Sequence, residues 1–560
     1  MHASEADVAL LRETPDLHGA YPRLEDAQIA ALAAGGERHA TERGDVLFHE
    51  GDRDGYDFYV VLDGRVAMLE AYGAPDERWI AIHGPGRFLG ELSLLVGQPP
   101  FFSAVVQEPG EVLRVPVEHV RQVVAGDPGL GDLILRAYLI RRSLLIDLGV
   151  GLRIVGSRYS PDTRRLRDFA ARNRLPHRWI NLEDDPSAEA LLQALGVAPD
   201  ETPVVIWHGR EVLRNPSNAE LARAMGLRAH AGPDRILDLL VVGAGPAGLA
   251  ASVYGASEGL ATMTIDGIAT GGQAGTSSRI ENYLGFPSGI SGAELAERAE
   301  IQAGKFGAEI NVPAEALSLE VEDGHYVARV DGDDDVPART LVIATGARYR
   351  KLAVPGFEKF EPVSIYYAAT QVEAQMCRGD PVAIVGGGNS AGQGALFLAR
   401  TAARVTMIVR EAELTENMSR YLVDRIQREP RVEVMLHSEV RELQGDDVLE
   451  ALVVEDNESG RRQTVDARSA FVFIGAEPHT DWLAGLVALD DRGYVVTGRQ
   501  AGGRALALES NRPGLFAAGD VRSGSIKRVA SAVGEGAMAV RLVHEHLADL
   551  NLSQPASPQT

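Results

Sequence analysis

The chain has 560 residues, with 55 Lys and Arg against 79 Asp and Glu, for a formal net charge of −24. At roughly 150 residues per domain the length gives three or four domains, and 45% hydrophobic with 24% charged residues is the balance of a folded chain, which excludes a disordered or collagenous one. The acidity argues against nucleic acid and anionic membrane surfaces as partners, and a single cysteine, Cys377, excludes an internal disulfide and any cysteine-cluster metal site.

In chain order, the N-terminus MHASEADVALLRETPD is acidic and lacks the basic and apolar stretches of a secretory signal. No run reaches the ~18 apolar residues of a membrane-spanning helix. The expectation is a cytoplasmic protein. Residues 1–40 carry apolar residues at helical spacing, for example Leu24, Ile29 and Leu32. Residues 44–116 read as short strands split by turns at Gly51-Asp52, Asp54-Gly55 and Asp63-Gly64, the pattern of a small barrel or jelly roll. Residues 117–148 are predicted to be helical, with an apolar stripe. Residues 152–227 alternate strands (LRIVG, HRWINL, PVVIW, EVL) with helices, a compact α/β unit. AHAGPD at 229–234 reads as a linker, residues 236–548 as a larger α/β region, and residues 549–560 as a disordered tail.

One pattern occurs twice in the large region. LDLLVVGAGPAGLAA (237–251) and PVAIVGGGNSAGQGA (381–395) are each strand, glycine-rich turn and helix. In the first, Gly243, Gly245 and Gly248 supply a tight turn, a close approach to a pyrophosphate and a close helix–strand packing, with Pro246 and Ala247 opening the helix whose N-terminus faces the phosphates. Asp266, after LATMTI, stands where a carboxylate would hold a ribose hydroxyl. The second loop has Gly386, Gly388 and Ala391, with Asn389 and Ser390 between. Its second strand is expected to end at Arg410, with Arg420 as a second cation; an arginine there suits a 2′-phosphate, which favours NADPH over NADH, although the neighbouring Glu411 opposes it.

With these loops, further segments resemble the thioredoxin reductase family of flavoproteins over about 310 residues: GGQAG (271–275), SSRIENYLGFP (277–287), ATGA (344–347), FIGAEPHT (473–480), GLFAAGD (514–520) and KRVASAVGEGAMA (527–539). The resemblance implies an FAD domain in two pieces, 236–350 and 475–548, with an NAD(P)H domain, 351–474, inserted between them. It implies FAD contacts from Gly271, Gly272, Gln273, Asn282, Ala344, Thr345, Gly346, Gly519, Asp520, Arg528 and Val529. It also implies hydride transfer from NADPH to flavin and a homodimer. The family's C-x-x-C is missing. The corresponding stretch, 363–375, has no cysteine, and the counterparts of the redox pair fall within residues 367–371. Electrons must therefore leave for an acceptor other than an internal dithiol: a quinone, ferredoxin or flavodoxin, an external disulfide or oxygen. No side chain reads as a general acid or base; Tyr367 is the candidate for the flavin face. A ligand-regulated redox sensor and an inactive flavoprotein scaffold are the alternatives.

Residues 1–148 resemble a cyclic-nucleotide-binding domain through GDVLFHEGD, YVVLDGRV and FLGELSLL. The resemblance puts Gly90, Glu91 and Leu92 in a phosphate-binding cassette, with Glu91 accepting from a ribose hydroxyl. The cassette's arginine is replaced by Phe102, followed by Ser103 and Ala104, which removes the strong Arg–phosphate pair. Residues 149–230 resemble a thioredoxin or glutaredoxin fold, without its cysteines, with Thr202-Pro203 at the position of that fold's cis-proline turn. The fold class expected is thus multidomain: an all-β domain with helices, an α/β thioredoxin-like domain, and two nested Rossmann-like α/β domains.

Overall fold

The computed structural model describes residues 12–16, 18–52, 57–74, 76–91, 95, 99–207, 211–227, 235–277, 279–331, 334–367, 369, 371–483, 485–502 and 506–553. Leu92, the linker at 229–234 and residues 554–560 lie outside them. The chain forms two compact units, Met1–Arg158 with Arg165–Arg228, and Ala229–Thr560 with Tyr159–Arg164.

In the first unit six strands form one antiparallel sheet. Its frame is the long pair β2 (Phe58–Glu70) and β3 (Ser103–Val115), with β1 (Glu37–Thr41) on the edge of β3. The strand region starts at 37, earlier than the expected 44. Four of the five residues of β1 are exposed, so this edge strand has no apolar alternation to read. Register shifts between Val61 and Val66 bend β2, and glycine is required there: a Cβ on Gly110 would fall 2.3 Å from the Asp63 carbonyl oxygen. Phe58, Val60, Phe88, Leu113 and Val115 pack against Leu130, Ile134 and Ala137 of helix α1 (Pro128–Leu148). Asp127 caps α1 by accepting from Leu130 N at 3.1 Å, and Gly149, at φ +60°, ends it. The same unit holds a four-stranded sheet in the order Glu211–Arg214, Val204–Trp207, Leu152–Gly156, His177–Asn181, accompanied by helices Pro186–Ala194 and Asn218–Ala224; helix Pro161–Arg172 follows the strand Leu152–Gly156 in the chain. The Thr202-Pro203 bond is cis.

Among the described residues the second unit holds four sheets, two of which carry the strand–loop–helix repeats. In the first, β4 (Leu237–Val242) lies between β5 (Thr262–Ile265) and β6 (Asp334–Ile343), and Leu515–Ala517 pairs with β6; all these pairings are parallel. Five of six β4 residues are buried, as a strand covered on both faces requires. Helix α2 (Pro246–Ser257) follows β4. The chain leaves through β7 (Ala347–Tyr349) and builds a second parallel sheet, in which β8 (Pro381–Val385), helix α3 (Asn389–Leu398) and β9 (Arg404–Ile408) repeat the β4–α2–β5 arrangement. It returns through β10 (Ala476–Pro478), antiparallel to β7. The last helix, α4 (Val529–Ser553), packs on α2 so closely that a Cβ on Gly536 would fall 2.1 Å from the Ala247 carbonyl oxygen. This helix continues past 548, where the tail was expected to begin, because no helix breaker occurs before Pro555.

Candidate functional site

The two glycine loops are superimposable in their sterics. Gly243 and Gly386 both lie at positive φ (+110° and +136°), and a Cβ on either would fall 2.3 Å from a carbonyl oxygen, of Ala344 and Phe473 respectively. Their amides close the loop onto the neighbouring strand, Gly243 N to Ile265 O at 2.7 Å and Gly386 N to Ile408 O at 3.0 Å. At the second position the demand reverses. A Cβ on Gly245 would have no neighbour nearer than 4.0 Å, and one on Gly388 none within 4 Å. Both glycines cap a helix with no side-chain cap, so the first-turn N–H groups of α2 and α3 remain for a ligand. At the third position a Cβ on Gly248 would sit 1.7 Å from Gly243 O. That is the cradle a dinucleotide pyrophosphate needs, crowded behind and open in front, and the residues present fit FAD and a nicotinamide dinucleotide.

An open cleft of about 310 Å³ of internal space lies over the first loop. Of the residues expected to hold cofactor, Gly245, Pro246, Ala247, Asp266, Gly272, Gln273, Ala344, Thr345, Gly346, Gly519, Asp520, Arg528 and Val529 line it together, and so does Ser390 from the second loop. Gly243, Gly248 and Gly271 shape the backbone behind it. Asn282 does not line it and is exposed, and neither do Gly386, Gly388, Asn389, Ala391, Arg410 and Arg420. Asp266 follows β5, and its carboxylate accepts from Ala244 N at 2.8 Å, Ile268 N at 2.9 Å and Ala269 N at 3.3 Å. Burial raises its pKa, opposed by these three amides. Burial also raises the Asp520 carboxyl from its ordinary value, with Lys527 opposing and Glu535 adding to the effect.

Several positioning residues carried no motif. Glu535 of α4 accepts from Gly519 N at 2.7 Å and pairs with Arg522, so the last helix fixes the turn that carries Asp520. Gly519 itself stands at φ +77° with a Cβ position 2.9 Å from Ala247 Cβ. Gln273 donates to the Ala347 carbonyl, tying the 272–275 turn to β7. Gln393, Gly394 and Phe473 bring the second Rossmann-like half to the cleft wall. The only hint in the sequence was that Glu535 lies inside the KRVASAVGEGAMA segment.

Tyr367 does not itself line the cleft. Its ring stacks on Tyr349, which does, with centroids 5.7 Å apart and planes 8° off parallel. Its hydroxyl donates to Glu361 Oε1 at 2.6 Å, and burial with that carboxylate raises its pKa far above the ordinary tyrosine value. Cys377 is 1% exposed, and its thiol donates to Glu373 O at 2.6 Å. Burial, then Glu373, push that thiol up to about 12, so it is no nucleophile at neutral pH.

The strand before Arg410 closes at Ile408, so Val409, not Arg410, takes the place Asp266 takes in the first half. Arg410 is 74% exposed and its Nε donates to Glu411 Oε1 at 3.0 Å; Arg420 is exposed at the start of the helix Arg420–Ile426. In the first unit, Gly90 stands at φ +100° with a Cβ position 2.6 Å from Asp57 O. Glu91 is buried and pairs with Arg141 of α1 at 2.8 Å. Arg141 also donates to Ala20 O and Phe88 O, so the Glu91 carboxylate is anchored to the helix. Phe102 is buried against Phe48, and Ser103 Oγ accepts from Glu50 N at 3.0 Å.

Comparison with known proteins agrees with this geometry. The family model for pyridine nucleotide-disulphide oxidoreductases matches residues 237–536, and that for the cyclic nucleotide-binding domain matches residues 38–127. The chain is 32% identical over 314 residues to the 34.2 kDa protein in rubredoxin operon of Clostridium pasteurianum, covering 56% of this chain and 98% of that one. It is 33% identical over 304 residues to thioredoxin reductase of Mycolicibacterium smegmatis, covering 54% and 94%. Among solved structures, Lactococcus lactis thioredoxin reductase (FR conformation) aligns with a TM-score of 0.52 at 27% identity over 56% of this chain and 99% of that one. Thioredoxin reductase of T. acidophilum aligns with a TM-score of 0.52 at 28% identity over 56% and 100%. The chain thus belongs to the pyridine nucleotide-disulphide oxidoreductase family, as a thioredoxin reductase-like, FAD-dependent NAD(P)H oxidoreductase with a cyclic nucleotide-binding domain toward its N-terminus.

Proposed function

We propose that this oxidoreductase delivers electrons to an acceptor that reaches the flavin cleft directly, with no protein dithiol as relay. The observation that carries the reading is one cleft lined by both nucleotide-binding halves in a chain whose single cysteine is buried elsewhere. The chemistry supplied by FAD when bound is acceptance of a hydride from NAD(P)H and release of electrons to an acceptor. The protein's part is position. The 243–248 loop and the first turn of α2 would hold the pyrophosphate, and Asp520, fixed through Gly519 and Glu535, would meet the ribityl side. Ser390, Gln393 and Phe473 bring the donor half to the same space. A quinone, a ferredoxin or flavodoxin, an external disulfide and oxygen are the acceptor classes. Residues 236–350 with 475–548 are assigned to FAD and 351–474 to NAD(P)H. The cysteine-free α/β domain at 149–230 is assigned to docking or to spacing, the assembly is a homodimer and the location cytoplasmic. The test is anaerobic mixing with NAD(P)H followed by each acceptor class. Flavin bleaching and acceptor-dependent recovery support the reading. Bleaching by dithionite but by neither NADH nor NADPH overturns it.

A second reading is supported by the match at 38–127: the N-terminal domain binds a small ligand and biases the reductase half. Against an ordinary cyclic nucleotide stand Phe102 at the phosphate-pairing position and the engagement of Glu91 by Arg141. Adding cyclic AMP or cyclic GMP during flavin reduction tests it: a changed rate supports regulation, and an unchanged rate with no measurable binding counts against these two ligands.

A further inference from the structure

We infer that the second nucleotide site selects a dinucleotide with a free 2′-hydroxyl on its adenosine ribose, NADH over NADPH, and that Glu411 makes the selection. The inference rests on the oxidoreductase reading above, which gives this half the nicotinamide dinucleotide. In such a half, an acid beyond the second strand binds the ribose hydroxyls, whereas an arginine accommodates a 2′-phosphate. Arginine is nearby in sequence but not in the loop. Arg410 is 74% exposed and bound to Glu411, and Arg420 is exposed. Glu411 is folded inward, with 15% of its side chain exposed. Its Oε2 lies 3.0 Å from where a Cβ on Gly387 would be.

The first half shows what that position does. There the Asp266 carboxylate sits beside Ala244, the second residue of its loop, at 2.8 Å from the amide. Gly387 is the second residue of the other loop. Val409 takes Asp266's place at the strand end, and its Cγ1 would crowd a Cβ on Gly387 at 2.9 Å. Glu411 therefore brings a carboxylate to the matching loop position from two residues further along the chain. It is held in place: Oε1 accepts from Arg410 Nε at 3.0 Å and from Asn417 Nδ2 at 3.2 Å, and its carbonyl accepts from His437 N at 3.1 Å. These side-chain hydrogen bonds fall on Oε1, and Oε2 is turned to the loop. Glu413 and Glu416 follow in the next turn, both exposed. A carboxylate accepts well from ribose hydroxyls and opposes a second phosphate in the same space.

The test uses two probes that carry the adenosine end but transfer no hydride, ADP-ribose and 2′-phospho-ADP-ribose, titrated calorimetrically into the FAD-loaded full chain. ADP-ribose should bind about tenfold tighter or more, since like-charge juxtaposition costs several kcal/mol and 1.4 kcal/mol is tenfold. Glu411→Arg should shrink or reverse that ratio by about tenfold, and Glu411→Gln should shrink it less. Equal or tighter binding of the phosphorylated probe to the native chain overturns the inference. So does a ratio that Glu411→Arg leaves unchanged. A parallel anaerobic titration with NADH and NADPH separates the two layers. If NADPH reduces the flavin as well as NADH does, the oxidoreductase reading stands and the selection fails. If neither does while dithionite does, both fail.

Discussion

Single residues decide what this site can and cannot do. Cys377 is a packing residue. Cys377→Ala should leave flavin reduction and acceptor turnover unchanged and cost about 1 kcal/mol of stability, the scale of one lost buried heavy atom. The native thiol should resist alkylation at pH 8 until the chain is unfolded. Rapid labelling of the folded protein, or lost turnover in the variant, would contradict this. His83 sets a pH dependence in the N-terminal domain. It is fully buried, next to Met68 Sδ and edge-on to Tyr21, and burial followed by Arg141 and Arg87 holds its pKa well below the ordinary value. The unfolded chain then binds a proton that the folded chain refuses, so stability is intact above the ordinary histidine pKa of about 6.5 and falls below it. At pH 5.5 this single group should cost about 1.4 kcal/mol relative to pH 7.5. Unfolding of the full chain and of His83→Phe at both values checks it: the variant should lose less on acidification, and equal losses would refute the assignment.

At the scale of elements, the two strand–loop–helix units show how far a sequence pattern reaches. Both glycine spacings, both helices and the Asp266 carboxylate were legible, because each glycine answers a steric demand: a positive φ, an open front or a crowded back. Gly248→Ala tests the crowded back. Its methyl would have to displace Gly243 O, lying 1.7 Å away in the native backbone. Overpacking of this kind costs roughly 1–3 kcal/mol. The variant should be recovered with sharply reduced flavin content, and full FAD loading with native melting behaviour would contradict the account. The end of the second strand was misread. VTMIVRE continues an apolar run into Arg410, but the strand stops at Ile408 and the residue that turns inward is Glu411. Which side chain folds against a loop depends on local backbone direction, which alternation alone does not encode. The Glu535–Gly519 clamp was invisible for the same reason: it joins residues sixteen apart through a backbone amide. The edge strand β1 was hidden by its exposure.

For the whole molecule, composition and length already pointed to a multidomain chain without disulfides, and the family resemblance located the reductase core. What the resemblance left open is the consequence of a family scaffold without its dithiol. Tyr349, which lines the cleft, stacks on Tyr367, the first residue of the stretch where the redox pair would lie. No side chain there can store an electron pair as a thiol does, so the redox capacity of the chain must equal that of its flavin. The measurement that tests this most directly is an anaerobic reductive titration of the FAD-loaded protein, counting electrons taken up per flavin. Complete reduction by a single two-electron equivalent of dithionite or NAD(P)H, with no further uptake, is the expected result. Uptake of a second two-electron equivalent per flavin would reveal a second redox centre in the chain and would refute direct hand-off from the flavin.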